Sequence, residues 1–120
     1  MKPYSRSDRV GGLIKKVVAE LLLKDIKDPR LAKATITGVK VSNDLRMAKI
    51  YFSTAEDQAS RQAMIEGFNR ACGFIKRELA QQLDLRYMPD LKFFYDESID
   101  YGARIEKLLK TATRKNETDS

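Results

Sequence analysis

The stretch that decides the fold is residues 61–96, RQAMIEGFNRACGFIKRELAQQLDLRYMPDLKFFYD. Most of it predicts helix, because apolar residues recur at steps of three and four and form one buried stripe. That stripe runs straight through Ala71-Cys72-Gly73, and its members are Met64, Phe68, Ala71, Cys72, Ile75, Leu79 and Leu83. The end of the stretch, Leu91-Lys92-Phe93-Phe94-Tyr95, predicts a strand that begins after Pro89.

Gly73 interrupts this helical pattern without ending it. A glycine in a helix interior costs about 1 kcal/mol relative to alanine, so something other than helix stability keeps the residue small. We interpret Ala71-Cys72-Gly73 as a kink, or a point of close approach, between two helical segments. The face opposite the stripe carries Arg70, Gly73 and Arg77, with Lys76 on its flank. Such a face suits a phosphate backbone, and an ordinary solvated helix face is the simpler alternative.

The composition favours a polyanionic partner. The 120 residues include 23 Lys and Arg against 17 Asp and Glu, which gives a net charge of +6 and a pI near 9.5. Nucleic acid is therefore the leading candidate partner. Histidine is absent, which removes the usual proton shuttle at neutral pH and the commonest nitrogen ligand for metals. We expect no catalytic residue, no cofactor and no metal site.

The single cysteine argues against a disulfide scaffold, because one thiol cannot form an internal bridge. Cys72 lies on the apolar stripe, so we interpret it as a small packed residue and not as a nucleophile. The first residues lack the apolar core of a signal peptide, and no apolar run reaches the roughly 18 residues of a membrane span. These features predict a soluble cytoplasmic protein without membrane contact.

A first helix is predicted from seven apolar residues at helical spacing, with an N-cap at Ser5, Ser7 or Asp8. The apolar residues are Val10, Leu13, Ile14, Val17, Val18, Leu21 and Leu22. The cations that fall outside this stripe form a second basic surface, for which a solvated face is again the alternative. They are Arg6, Arg9, Lys15, Lys16 and Lys24.

Two strands are predicted between the helical regions. Residues 35–41 form the first, with a β-bulge at Gly38 that brings Ile36, Val39 and Val41 to one face. Residues 47–53 alternate in polarity and form an antiparallel hairpin with it. The strand at 91–95 follows a helical crossover and should therefore lie parallel to its neighbour. We expect an α+β fold with a three-stranded mixed sheet, covered by helices on one face.

The chain is predicted to be one domain over residues 7–110, between a flexible N-terminus (1–6) and a disordered tail (111–120). A last short helix begins at caps in residues 96–98 and groups four apolar side chains on one face. These are Tyr101, Ile105, Leu108 and Leu109.

Two further functions compete with RNA binding through the helices. One is a protein-interaction module that pairs through the open sheet face or a strand edge. The other is a DNA-binding helix-turn-helix, which the short linker at Gly73 disfavours. Aromatic side chains could also stack on bases. The periodicity places Phe52, Phe68 and Phe93 on the buried side of their elements, which predicts core residues. Tyr51 and Phe94 lie on the opposite faces of their strands, and either a structural or a base-stacking role is open for them.

The order and spacing of five segments resemble the bacterial ribosome-binding factor A family, whose domain is similar to a type II KH fold. The resemblance extends roughly from Arg9 to Leu109. The segments are Arg9-Val10, Lys27-Asp28-Pro29-Arg30-Leu31, Val41-Ser42-Asn43-Asp44-Leu45, Ala71-Cys72-Gly73-Phe74-Ile75-Lys76-Arg77-Glu78-Leu79 and Pro89-Asp90-Leu91-Lys92-Phe93-Phe94-Tyr95-Asp96.

The resemblance implies a KH-like domain of order αββααβ, in which an Ala-x-Gly kink replaces the Gly-x-x-Gly loop. Ala71 and Gly73 match that kink, and Cys72 fills its variable position. The usual clamp on four nucleotides therefore does not carry over. Lys76 stands where the family often has arginine, and lysine lacks the bidentate phosphate geometry.

The resemblance also implies a function. It is that of a non-enzymatic assembly factor that binds the immature small ribosomal subunit and supports late maturation and processing of its ribosomal RNA, notably in the cold. The factor leaves before translation, assembly GTPases act on its release, and it is a monomer. The candidate RNA-binding residues are Arg6, Arg9, Lys15, Lys16, Arg30, Arg70, Gly73, Lys76 and Arg77.

Overall fold

The elements of the described chain follow the order helix, two strands, helix, strand. The computed structural model describes residues 5–85, 87–98 and 106–109. The elements are α1 (Arg6–Lys24), β1 (Thr35–Val41), β2 (Met47–Ser53), α2 (Gln58–Gln82) and β3 (Asp90–Tyr95). This order confirms the predicted α+β class.

Helix α1 starts with a capping box. The Ser5 hydroxyl accepts a hydrogen bond from the Asp8 backbone N at 3.2 Å, and the Asp8 carboxylate accepts one from the Ser5 backbone N at 3.3 Å. Five members of the predicted stripe are buried, Leu22 is partly buried, and Leu13 is 45% exposed. Successive helix residues point about 100° apart, so Leu13 is turned away from its buried neighbour Ile14 towards the solvent side.

The sheet has the predicted topology, with β1 antiparallel to β2 and β3 parallel to β2. Its register shifts between Ile36 and Gly38: Ile36 pairs with Phe52, and Gly38 pairs with Tyr51. Thr37 is the extra residue of this bulge. The predicted bulge is thereby confirmed, and Ile36, Val39 and Val41 share the face that carries the core residues of β2.

Helix α2 is one continuous helix of 25 residues, so the described chain has the order αββαβ and the predicted order αββααβ is wrong. A bend within α2 at Ala71-Cys72-Gly73 stays a prediction. The N-cap of α2 is Asp57, whose side chain accepts a hydrogen bond from the Ser60 backbone N at 2.9 Å. The apolar stripe continues on both sides of the tripeptide, with Phe68 and Ile75 fully buried. Tertiary packing of this stripe outweighs the roughly 1 kcal/mol helix cost of Gly73.

Three phenylalanines join α2 to the sheet. The rings of Phe68 and Phe93 stack with centroids 4.8 Å apart and an interplanar angle of 7°. Phe52 lies against Phe68 at 5.1 Å. Helix α1 packs on β1 and α2 packs on β3, so the core lies between the helices and one face of the sheet. The prediction that helices cover one face is confirmed.

Helical residues are found again near the end of the described chain. Residues 97–98 and 106–109 are helical, and Leu108 and Leu109 are each 61% exposed. The other two members of the predicted apolar face, Tyr101 and Ile105, lie outside the described residues, as does the predicted tail at 111–120. The domain boundaries stay a prediction, with Arg6 already part of α1. None of the described helices is long and apolar enough to cross a bilayer.

Alanine substitution should have opposite effects on stability at the two adjacent glycines of α1. A Cβ added at Gly11 would lie 3.0 Å from the Val39 backbone O, whereas a Cβ at Gly12 would meet no described atom within 4 Å. We therefore expect Gly12→Ala to raise the free energy of unfolding by about 0.5–1 kcal/mol. Gly11→Ala should lower it, by an overpacking cost of about 1–3 kcal/mol, because a strand carbonyl cannot rotate away. Urea denaturation of both variants measures the difference, and equal stabilisation by both would contradict this packing.

Candidate RNA interface

The exposed face of α2 carries two arginines seven residues apart. Arg70 and Arg77 are exposed, and Gly73 is exposed between them. Neither guanidinium forms an ion pair or hydrogen bond with the described part of the chain. The predicted grouping of Arg70, Gly73 and Arg77 on one face is therefore present, with both charges available to a partner.

Lys76 is placed differently from the two arginines. Its side chain is partly buried, and its Nζ forms an ion pair with Asp90 Oδ1 at 3.2 Å. Asp90 is the first residue of β3, so the pair ties α2 to the start of that strand. The charge of Lys76 is partly compensated within the protein, whereas the charges of Arg70 and Arg77 are not paired within the described residues.

Arg30 is also engaged within the protein. In the turn Asp28-Pro29-Arg30, its Nε and Nη2 donate to the two carboxylate oxygens of Asp28 at 3.1 and 3.0 Å, and its backbone N donates to Oδ1 at 2.9 Å. These hydrogen bonds lower the pKa of Asp28, and the nearby charge of Arg70 lowers it further. Asp28 thus brings two predicted RNA-binding residues, Arg30 and Arg70, to one place, and it occupies the fork of Arg30.

The predicted cations of α1 are all exposed. Arg9 and Lys16 are seven residues apart on one side of the helix, while Lys15 is turned about 100° from Lys16. At the start of α1, Arg6 lines an open groove of about 490 Å³ together with Arg46, Leu85 and Tyr87. The groove places Arg6 beside Arg46, a cation of the β1–β2 turn that the sequence pattern did not single out.

The close approach predicted at Gly73 occurs at Gly67. A Cβ added at Gly73 would meet no atom of the described residues within 4 Å. At Gly67 it would lie 3.2 Å from Leu31 Cδ2 and 3.3 Å from Asp28 Oδ2. The turn at Asp28–Leu31 packs directly on the helix there, so Gly67 has a structural reason to be small and Gly73 has none within the fold.

The acidic side chains and the thiol near this surface have structural surroundings. Across residues 5–85, 87–98 and 106–109, no group of three or more Cys, Asp or Glu side chains is arranged to hold a metal ion. Cys72 carries a free thiol and is half-buried against the core. The carboxylates with lowered pKa are hydrogen-bonded in caps and turns: Asp57 caps α2, and Asp44 accepts from Ser42 Oγ and the Arg46 backbone N.

Comparison with known proteins points to one family. The sequence model described as ribosome-binding factor A matches residues 6–109. The ribosome-binding factor A of Desulfatibacillum aliphaticivorans is 50% identical over 110 residues, which are 92% of this chain and 89% of that protein.

Solved structures of ribosome-binding factor A have the same fold. The crystal structure from Thermus thermophilus matches with a TM-score of 0.67 at 23% identity and covers 77% of this chain and 97% of that one. A homology model of the Thermus thermophilus ribosome-binding factor A, fitted into a cryo-electron microscopy map of its complex with the 30S subunit, matches with a TM-score of 0.57. It is 25% identical and covers 72% of this chain and 91% of that one.

Alanine substitutions at the two glycines of α2 should differ in their effect on stability. Gly73→Ala should raise the free energy of unfolding by about 0.5–1 kcal/mol, because it improves helix propensity at an open site. Gly67→Ala should fall short of that gain, since its methyl group would crowd Leu31 and Asp28. Thermal denaturation of both variants tests this, and a destabilised Gly73→Ala would restore a packing role for that position.

The Asp28–Arg30 pair predicts a pH-dependent contribution to stability. Because the folded state lowers the pKa of Asp28, the contribution is present above the unfolded pKa and is lost as the pH falls through the folded value, below about pH 4. The thermal midpoint of Asp28→Asn should therefore decline less than that of the wild type between about pH 5 and 2. Asp25→Asn, an exposed neighbour, is the control, and identical declines in all three proteins would contradict the prediction.

Proposed function

The chain belongs to the ribosome-binding factor A family, and from that premise we propose that it binds the immature small ribosomal subunit through phosphates of its ribosomal RNA. The observation that carries the proposal is the pair Arg70 and Arg77 on one exposed face of α2, neither of them neutralised within the described chain. The relative from Thermus thermophilus that was fitted into a complex with the 30S subunit supports the same partner.

The cations of the interface are proposed to have unequal roles. Arg70 and Arg77 on α2, with Arg9 and Lys16 on α1, contact phosphates directly because their charges are exposed. Arg6 and Lys15 extend the surface along α1. Lys76 and Arg30 contribute mainly to the local potential, since each is already held by a carboxylate.

Gly73 is proposed to leave a gap without a side chain on the α2 face between the two arginines. With no side chain and no neighbour in the described fold, it lets an RNA backbone approach the helix more closely than alanine would. This role is separate from the predicted kink: here the residue acts on the partner's side of the helix.

The domain is proposed to be a variant of the type II KH fold. The antiparallel β1–β2 hairpin and the parallel pairing of β3 with β2 support this relationship. One continuous helix occupies the place where a KH domain has two helices and a Gly-x-x-Gly loop. RNA recognition in this variant therefore relies on helix faces.

In the cell, we propose a non-enzymatic factor that acts as a monomer in the cytoplasm. It supports late maturation and processing of the small-subunit ribosomal RNA, its importance increases in the cold, and it leaves before translation with the help of assembly GTPases. Membership of a family named for ribosome binding supports this role. A protein-interaction module remains the alternative, and partners retained after nuclease digestion would favour it.

Charge reversal on α2 tests the proposed function. Arg70→Glu with Arg77→Glu should abolish co-sedimentation with small subunits on sucrose gradients, while the thermal midpoint changes little, because both side chains are exposed. Lys24→Glu with Lys33→Glu reverses two charges elsewhere and is the control; its thermal midpoint is measured as well, because it also breaks the ion pair of Lys33 with Glu56. If the α2 variant sedimented with small subunits as the wild type does, the binding surface would lie elsewhere.

A pair of charge-removing substitutions at the same two arginines adds a quantitative test. Each phosphate contact to single-stranded RNA changes the slope of log affinity against log salt by about 0.7. Arg70→Gln with Arg77→Gln should therefore flatten that slope by about 1.4. An unchanged slope would mean that the two arginines do not contact phosphates.

A further inference from the structure

The second face of the sheet, opposite the helices, carries its side chains in ordered rows. Residues that pair across the three strands stand side by side on this face, and the register determines each row. One row consists of Lys40, Lys49 and Lys92, and the next consists of Gly38, Tyr51 and Phe94. Helices α1 and α2 pack on the other face, and Phe94 is 39% exposed.

Repulsion within the lysine row lowers the stability of the isolated protein. Lys40 pairs with Lys49 and Lys49 pairs with Lys92, and all three residues are exposed. Like charges directly opposite each other destabilise a sheet. A polyanion lying across the strands would remove this repulsion, so the row has the character of a binding feature.

The aromatic row forms a flat apolar surface beside the lysines. The Tyr51 and Phe94 rings have centroids 5.8 Å apart and an interplanar angle of 30°, and Lys40 Nζ lies 6.0 Å from the Tyr51 centroid. Gly38 has a negative or extended φ, and a Cβ there would meet no described heavy atom within 4 Å. Neither packing nor backbone conformation requires a glycine at this position, and Gly38 places no side chain beside Tyr51, which is half-buried with Lys40 over its ring.

The acidic groups at the borders of this face are already engaged. Asp96 accepts hydrogen bonds from Thr37 Oγ1 at 2.6 Å and from the Ser98 backbone N at 3.0 Å, and Asp90 is paired with Lys76. The lysines therefore dominate the charge of the surface. The two rows are two residues apart along each strand, a distance of about 7 Å that a lysine side chain can span.

We propose that this face, defined by Lys40, Lys49, Lys92, Tyr51, Phe94 and Gly38, binds an unpaired segment of RNA. Bases stack on Tyr51 and Phe94, and the adjoining phosphates contact the lysine row. The proposal rests on the proposed function, in that it names the RNA structure to be recognised, and it adds a second surface on the side of the sheet away from α2.

The chemistry favours unpaired RNA over other occupants. Ring faces can stack only on bases that are not enclosed in a duplex. Two rings offer a small apolar area for a protein partner, which would also need several carboxylates to match the lysines. A single strand supplies base faces and phosphates together.

The test uses the full chain and two RNA probes. The first is an unpaired oligouridine of about 12 nucleotides, within the site sizes of small single-strand-binding domains; the second is an RNA duplex of the same length. Tyr51→Leu with Phe94→Leu should weaken oligouridine binding by roughly 5- to 150-fold for each stacked base lost. Duplex affinity should be unchanged. Fluorescence anisotropy measures both, with Leu23→Ala, which shortens a side chain that is 85% exposed near the end of α1, as the control.

A lysine variant separates charge from stacking. Lys49→Gln should flatten the salt slope for oligouridine by about 0.7, and it should raise the thermal midpoint because it relieves the repulsion within the row. Lys24→Gln should change neither. Equal loss of oligouridine and duplex affinity in the Tyr51/Phe94 variant would overturn the proposal.

The proposed function and this inference fail in different ways. If the wild type does not bind small subunits, the proposed function fails. If it binds them but oligouridine leaves the Gly38 amide resonance unmoved and the Tyr51/Phe94 variant binds oligouridine normally, the sheet face is not an RNA surface. A shift of that variant from dimer to monomer with unchanged RNA affinity would assign the face to a second copy of the chain and overturn the inference.

Discussion

The contact on which the structure depends is the phenylalanine cluster between α2 and the sheet. Phe68 lies between Phe93 and Phe52, at 4.8 and 5.1 Å, and thereby joins the helix to the two parallel strands. Parallel strands cannot be joined by a tight turn, and α2 lies within the connection between β2 and β3. Aromatic packing fixes which side of α2 faces inward, and the opposite side then exposes Arg70 and Arg77 to solvent.

Carboxylates of the protein distinguish among its cations. Arg30 and Lys76 are held by Asp28 and Asp90, whereas Arg70 and Arg77 keep their charges exposed. A count of basic residues treats these side chains alike. The ion pairs instead divide them into cations held at a turn or a strand end and cations left exposed, so fewer charges are open to a partner than the basic composition suggests.

The two faces of the sheet serve different purposes. One face is filled with apolar side chains from Ile50, Phe52 and Phe93 and is covered by the helices. The other carries a row of lysines beside a row with two aromatic rings. With α2 on the covered side and these rows on the other, an RNA with both structured and unpaired segments can be contacted from two directions by one small domain.

The sequence by itself determined the features that local periodicity encodes. These are the buried stripes of both helices, the three strands and the bulge at Gly38, because each follows from the spacing of apolar residues along a single element. Only the tertiary structure decided that α2 is continuous, that Gly67 and not Gly73 is the point of close approach, and that Lys40, Lys49 and Lys92 form one row. The physical reason is that these features depend on contacts between segments far apart in the sequence. The Asp28–Leu31 turn packs on α2 at Gly67, and the register between neighbouring strands brings the three lysines together. The spacing of residues along one element does not encode such contacts.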